Sequence, residues 1–119
     1  TADLVNKKVC TVADTTTTKY LKRVGLRFEA VARVEDCFAK LEHGATDAIV
    51  YDAPILAYWV AHDGEAVAQL SGPIFNRDTD GIALPAGSDL RTPIDEALLA
   101  IKESGDYSLI KQKWFGSDE

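Results

Sequence analysis

The chain has 119 residues, 46% of them hydrophobic and 27% charged, with a formal net charge of −6. That suits one ordinary globular domain with a real core, and the acidity argues against nucleic acid and anionic membrane surfaces as partners. No apolar run approaches the roughly 20 residues of a membrane-spanning helix. No secretory leader is visible, and the start at Thr1-Ala2-Asp3 without any methionine leads us to expect a processed or excised boundary.

Strand and helix patterns alternate along the chain. Val9 to Ala13 reads as a buried strand, and Asp14-Thr15-Thr16 turns it into a helix over Thr16 to Val24. Tyr20, Leu21 and Val24 share one face of that helix, and Gly25 closes it. Phe28 to Val34 alternates like a strand. Val34 to Glu42 is a helix with Val34, Cys37, Phe38 and Leu41 on one side, stopped by Gly44. A third strand, Ala48 to Tyr51, hands over through Asp52-Ala53-Pro54 to a helix over Ala53 to His62. Ala66 to Leu70 and Gly81 to Leu84 read as further strands. Two amphipathic helices follow, Ser88 to Lys102 and Tyr107 to Trp114, with Gly105 between them. This order predicts a three-layer α/β/α lobe with a mostly parallel sheet, over residues 1–86, followed by C-terminal helices over 87–119. The apolar stripes of those helices (Leu90, Ile94, Leu98, Ile101; Leu109, Ile110, Trp114) have no obvious matching surface in the preceding chain, although Trp114 itself reads as a core residue.

Cys10 falls in the first strand and Cys37 in the second helix. Without Cys-x-x-Cys or histidine spacing they make a poor zinc site. The plainer reading is two buried thiols; a disulfide between strand and neighbouring helix is the other, and the sequence does not decide. His43 and His62 sit near helix ends and read as partners of the C-terminal dipole. No order of Ser, His and Asp or of Cys and His suggests a nucleophile, and no histidine spacing suggests a metal.

Two strand-to-helix junctions can carry chemistry. At Asp14-Thr15-Thr16, hydroxyls gather where a helix start offers free N–H groups, which is anion-binding chemistry; the plainer reading is that Asp14 or Thr15 is an N-cap. At Asp52-Ala53-Pro54, an Asp before an N-terminal Pro also suits a cap. Its carboxylate can equally accept hydrogen bonds from a ligand ammonium, and ligands of open α/β sheets collect at such strand ends.

Four ordered segments resemble one family. Asp3-Leu4-Val5-Asn6-Lys7-Lys8-Val9, Thr46-Asp47-Ala48-Ile49-Val50-Tyr51-Asp52, Asp80 through Arg91, and Gly105-Asp106-Tyr107 through Lys113-Trp114-Phe115-Gly116 are similar to the conserved blocks of type II solute-binding proteins of family 3. These are the amino-acid binders that also form the ligand-binding core of ionotropic glutamate receptors. Val12 to Leu21 is similar to the matching stretch of bacterial glutamate-receptor-like channels. The resemblance implies a second lobe whose first lobe is supplied by other residues, or whose C-terminal helices pack on a second copy. It implies an amino acid held between lobes, with Thr15 and Thr16 facing its acid group, Asp52 its α-ammonium, and Asp80 adding a contact near the crossing segment. No cofactor is implied. The parent would be a ligand-gated channel or the binding protein of a transporter, working on the periplasmic or extracellular side, and would meet a pore or permease only through its other parts. Asn6 and Asp14 stand where the family usually has glycine. Asp14 adds a negative charge beside the acid-group site, so a neutral or basic amino acid is expected to be preferred. A cleft enzyme of the same fold, a dehydratase of cyclic acids with Asp14 as acid or base, and an effector domain of a transcription regulator are the alternatives.

Overall fold

The computed structural model describes residues 2–75, 77 and 79–116. The chain divides into two compact units, Thr1–Ser71 and Gly72–Glu119, a division that falls ahead of the 86/87 boundary read from the sequence. Among the described residues no helix is long and apolar enough to cross a membrane.

The first unit begins with a short 3-10 turn, Ala2–Leu4, and then builds β1 (Val9–Val12), α1 (Thr16–Arg23), β2 (Glu29–Val31), α2 (Val34–Glu42), β3 (Ala48–Ile49) and α3 (Ala53–Trp59). The strands are parallel in the order β2-β1-β3. β1 is central and all four of its residues are buried, which explains why it reads as a continuous apolar run rather than an alternating one. Its register sets Cys10 against Glu29 on one side and Ile49 on the other.

Helices cover both faces, which makes the three layers. The connection from β1 to β2 and that from β2 to β3 run in opposite directions across the sheet, so right-handed crossovers require their helices on opposite faces. The packing agrees. Leu21 of α1 joins Val9 and Val50 in an apolar cluster, backed by Leu4, Tyr20, Leu26 and Phe28. Cys10, the next residue along β1, points to the other face and is disulfide-bonded to Cys37 of α2, with a Cα–Cα distance of 5.7 Å. The plainer reading of two free thiols is thereby corrected: strand and helix bring the two residues to bonding distance, a proximity that their separation of 27 positions does not reveal.

Helix α3 is shorter than expected. After Trp59 the backbone widens into a π-helical turn, Val60–Gly64. Gly64 is buried under the Trp59 ring, and a Cβ there would stand 2.9 Å from three ring carbons. The expected strand at Ala66–Leu70 does not form. Its first two residues belong to a turn closed by Val67 N–H to Gly64 O, and the rest has no strand neighbour among the described residues to complete a ladder.

The second unit contains α4 (Arg91–Glu103) and α5 (Asp106–Phe115), separated by Gly105 in the left-handed conformation at φ 86°. The expected strand at Gly81–Leu84 likewise does not form among the described residues. Neither helix contains a buried residue. Trp114, expected in the core, is 44% exposed with Lys113 Nζ 5.2 Å from its ring centroid. The apolar stripes of two helices alone are too little surface to enclose so large a ring.

Candidate functional site

Because the three strands run parallel, their C-terminal ends and the starts of α1, α2 and α3 lie along one edge. The direction of connection reverses between β1 and β3, and open α/β sheets as a class bind ligands outside the strand ends at such a point. The two junctions that flank this switch point carry Asp14-Thr15-Thr16 and Asp52. Continuing the register that sets Cys10 against Ile49 places Ala13 level with Asp52. Adjacent strands lie about 4.8 Å apart. Four of the five predicted site residues, Asp14, Thr15, Thr16 and Asp52, therefore share one edge.

At the β1 junction Ala13 N–H donates to Val31 O at 2.8 Å, and the chain then turns through Asp14 at φ 57°. Left-handed backbone favours glycine and tolerates Asp or Asn, and Asn6 adopts it too, at φ 67°. Thr15, not Asp14, is the N-cap of α1. Its hydroxyl donates to Val12 O at 2.9 Å and accepts from Thr18 N–H at 3.3 Å. Thr18 in turn donates its hydroxyl to Thr15 O at 2.8 Å. The Thr15 hydroxyl is thus committed to the loop. The N–H and hydroxyl of Thr16 form no hydrogen bond among the described residues and lie at the positive end of the helix dipole.

At the β3 junction Asp52 precedes α3, and its backbone carbonyl accepts from Ile55 and Leu56 N–H, both at 3.1 Å. Its side chain makes no capping bond, and Pro54 in the first turn removes a donor that it could have taken. The exposed carboxylate is therefore left over for something outside the helix. Beside it, the Tyr51 phenol is pushed above its ordinary value of 10.0, first by burial and then by the negative charges of Asp52 and Glu35.

Tyr51 and Glu35 were not singled out from the sequence. Glu35 stands in the first turn of α2, at the third strand end, with Arg33 Nε 3.9 Å from its carboxylate. The available signal was the Arg33-Val34-Glu35 junction itself, which repeats the strand-to-helix setting of the other two. Asp80 lies in the second unit, where it lines a groove of about 690 Å³ with Arg91, Asp95 and the apolar residues Ile82, Ile94 and Leu98. His43 and His62 each bond the carbonyl four residues back, Ala39 O at 2.7 Å and Tyr58 O at 2.8 Å, as helix-end residues do. Among the described residues no three His, Cys, Asp or Glu side chains group as metal ligands.

No family model matches the chain. Among known proteins it is similar to the mouse (Mus musculus) ionotropic glutamate receptor NMDA 2D, at 36% identity over 84 residues, which is 69% of this chain and 6% of that protein. It is 28% identical over 120 residues to ABC transporter arginine-binding protein 1 of Escherichia coli (strain K12), covering 96% of this chain and 49% of that protein. The crystal structure of the GluR0 ligand-binding core from Nostoc punctiforme in complex with L-glutamate superimposes with a TM-score of 0.71 at 35% identity, covering 98% of this chain and 55% of that one. The chain thus spans about half of the arginine-binding protein and of the ligand-binding core, and a small part of the receptor.

Proposed function

Since the chain belongs with the amino-acid-binding solute-binding proteins and the ligand-binding cores of glutamate receptors, as a segment of the second-lobe type, we propose that it supplies one wall of an amino-acid cleft. The other wall comes from a first lobe outside these residues. The observation that carries this reading is the Asp52 carboxylate, spared from capping and standing at the switch point of the sheet. It accepts hydrogen bonds from the ligand α-ammonium, a charge-assisted contact. The N–H groups at the start of α1 and the Thr16 hydroxyl receive the acid group, with Thr15 holding the loop that presents them.

Asp14 and Glu35 add two negative charges to the same edge, against Arg33. Like charges about 4 Å apart in partly wet surroundings repel by a few kcal/mol. The cleft therefore prefers a neutral or basic amino acid over glutamate or aspartate. Binding closes the two lobes to the extent that the ligand prefers the closed state, and closure is passed to a channel or a transporter. Recognition, not catalysis, is the activity. The disulfide fits an oxidising compartment, so the lobe works on the periplasmic or extracellular side.

The test is calorimetry on the full-length protein that carries this chain, with arginine, glutamine, glycine, glutamate and aspartate. One of the neutral or basic amino acids is expected to bind, and Asp52→Asn to weaken it about 10- to 100-fold, the worth of a hydrogen bond to a charged group. Tight glutamate binding would contradict the charge argument, and unchanged affinity in Asp52→Asn would contradict the assignment of the ammonium site.

A further inference from the structure

The way α2 is attached differs from the way α1 is attached. Cys37 is the only buried residue of α2. The apolar cluster of the first unit contains no residue of α2. Outside the covalent bond, Val34, Phe38 and Leu41 are only half-buried, Phe38 stacks on Trp59 with centroids 4.2 Å apart and planes 3° from parallel, and Lys40 Nζ pairs with Glu29 Oε1 at 2.9 Å in a partly exposed setting. A helix of nine residues does not persist on its own in water. Yet its first turn carries Arg33 and Glu35 to the edge where Tyr51 and Asp52 stand.

We propose that the Cys10–Cys37 disulfide is a local redox fastening: oxidised, it pins α2 to the central strand and completes the third junction of the cleft edge; reduced, it releases α2 while β1, α1 and β3 stay folded. The inference goes beyond the ligand reading and does not depend on it. The reducing partner is a dithiol. Its thiolate attacks one cysteine sulfur, the Cys10–Cys37 bond breaks, and a mixed disulfide forms. The second thiol then displaces the remaining cysteine, leaving a cyclic disulfide on the reductant and two protonated thiols on the chain. Two electrons and two protons are transferred in all. Both cysteines are 0% exposed, so attack has to wait for a local opening that bares one sulfur while the bond is still in place.

Hydrogen exchange of the 119-residue chain, oxidised and after reduction with dithiothreitol, tests this. Amides of 34–42 are expected to exchange at least tenfold faster on reduction, while those of 16–23 change less than twofold. Cys10→Ala with Cys37→Ala should reproduce the reduced pattern. Unchanged protection of 34–42 overturns the proposal, since packing alone would then hold α2. Joint loss of protection in both segments also overturns it, since the bond would then be a staple of the whole unit. The rate at which dithiothreitol reduces the native chain gives a second reading that needs no reduced fold. Local release predicts a rate that rises much less steeply with urea than global unfolding does, and equal slopes overturn it.

Discussion

The two faces of the sheet solve the same problem in different ways. On one, α1 inserts Leu21 into a cluster with Val9 and Val50, and burial of apolar surface does the holding. On the other, α2 contributes one buried side chain, and that side chain is covalently joined to the strand beneath it. An apolar face is indifferent to redox conditions and fails only with the fold. A face held by a disulfide can be detached separately. A small unit with so few buried residues cannot afford two full apolar layers, and small extracytoplasmic domains commonly make up such a deficit with disulfides.

The sharpest way to break the comparison is Leu21→Ala. Leu21 is fully buried, and large-to-small changes at such sites cost about 2–5 kcal/mol. The expected result is a drop in thermal midpoint with protection lost in α1 and α2 together, because both helices rest on a sheet whose central strand has lost its apolar cover. Loss confined to α1, with α2 still protected by its disulfide, would show that the faces are independent in both directions.

Gly64→Ala probes the non-covalent part of the α2 face. The new methyl would press on the Trp59 ring, and Trp59 is itself buried against Phe38. Overpacking of this kind costs about 1–3 kcal/mol. Near-ultraviolet circular dichroism should report disturbed aromatic packing. In the oxidised chain α2 should remain protected, since the disulfide is untouched. In the reduced chain the same substitution should have no further effect on 34–42, because the helix has already left the stack.

How much of this could be read from the sequence follows the same divide. The Val9 face was legible in large part: Tyr20 and Leu21 of the expected helix face, a continuous apolar strand, and a helix start rich in hydroxyls all describe local order that the structure contains, whereas Val24, expected on the same face, caps the helix and is 45% exposed. The positive φ of Asn6 was legible too, since the family pattern that the chain resembles has glycine there; Asp14 departs from the same pattern and turns out left-handed as well. The disulfide was not, because it depends on how β1 and α2 meet across the sheet. The strands that the sequence suggests at 66–70 and 81–84 are absent from the structure for a related reason. Their residue types suit a strand, but a strand exists only if a neighbour accepts its hydrogen bonds. Asp52 illustrates a middle case: its position before α3 was clear, whereas the fact that its side chain does not cap that helix required the geometry. Tyr51 and Glu35 were not legible as a pair because they stand at two different junctions, which only the fold brings to one edge.

The electrostatic influence of Glu35 on Tyr51 yields the smallest expected effect and the finest probe of the α2 face. Tyr51 ionises above 10.0 in the folded chain because burial, then Asp52, then Glu35 disfavour the phenolate. In the unfolded chain the phenol returns to its ordinary value. The folded form therefore holds its proton more tightly, so Tyr51's contribution to stability is whole below about pH 10 and is lost as pH rises through the folded value. Denaturant midpoints measured from neutral to strongly alkaline pH should fall more gently for Tyr51→Phe than for the parent chain. The disulfide enters this titration through Glu35, which α2 carries. If reduction releases α2, Glu35 withdraws and part of the burial goes with it, so the phenol should ionise nearer its ordinary value in the reduced state. Because free thiolates would confuse an alkaline measurement, the comparison is best made in the Cys10→Ala, Cys37→Ala chain by following phenolate absorbance. A Tyr51 titration that is the same with and without the disulfide would mean that α2 keeps its place at the edge unaided.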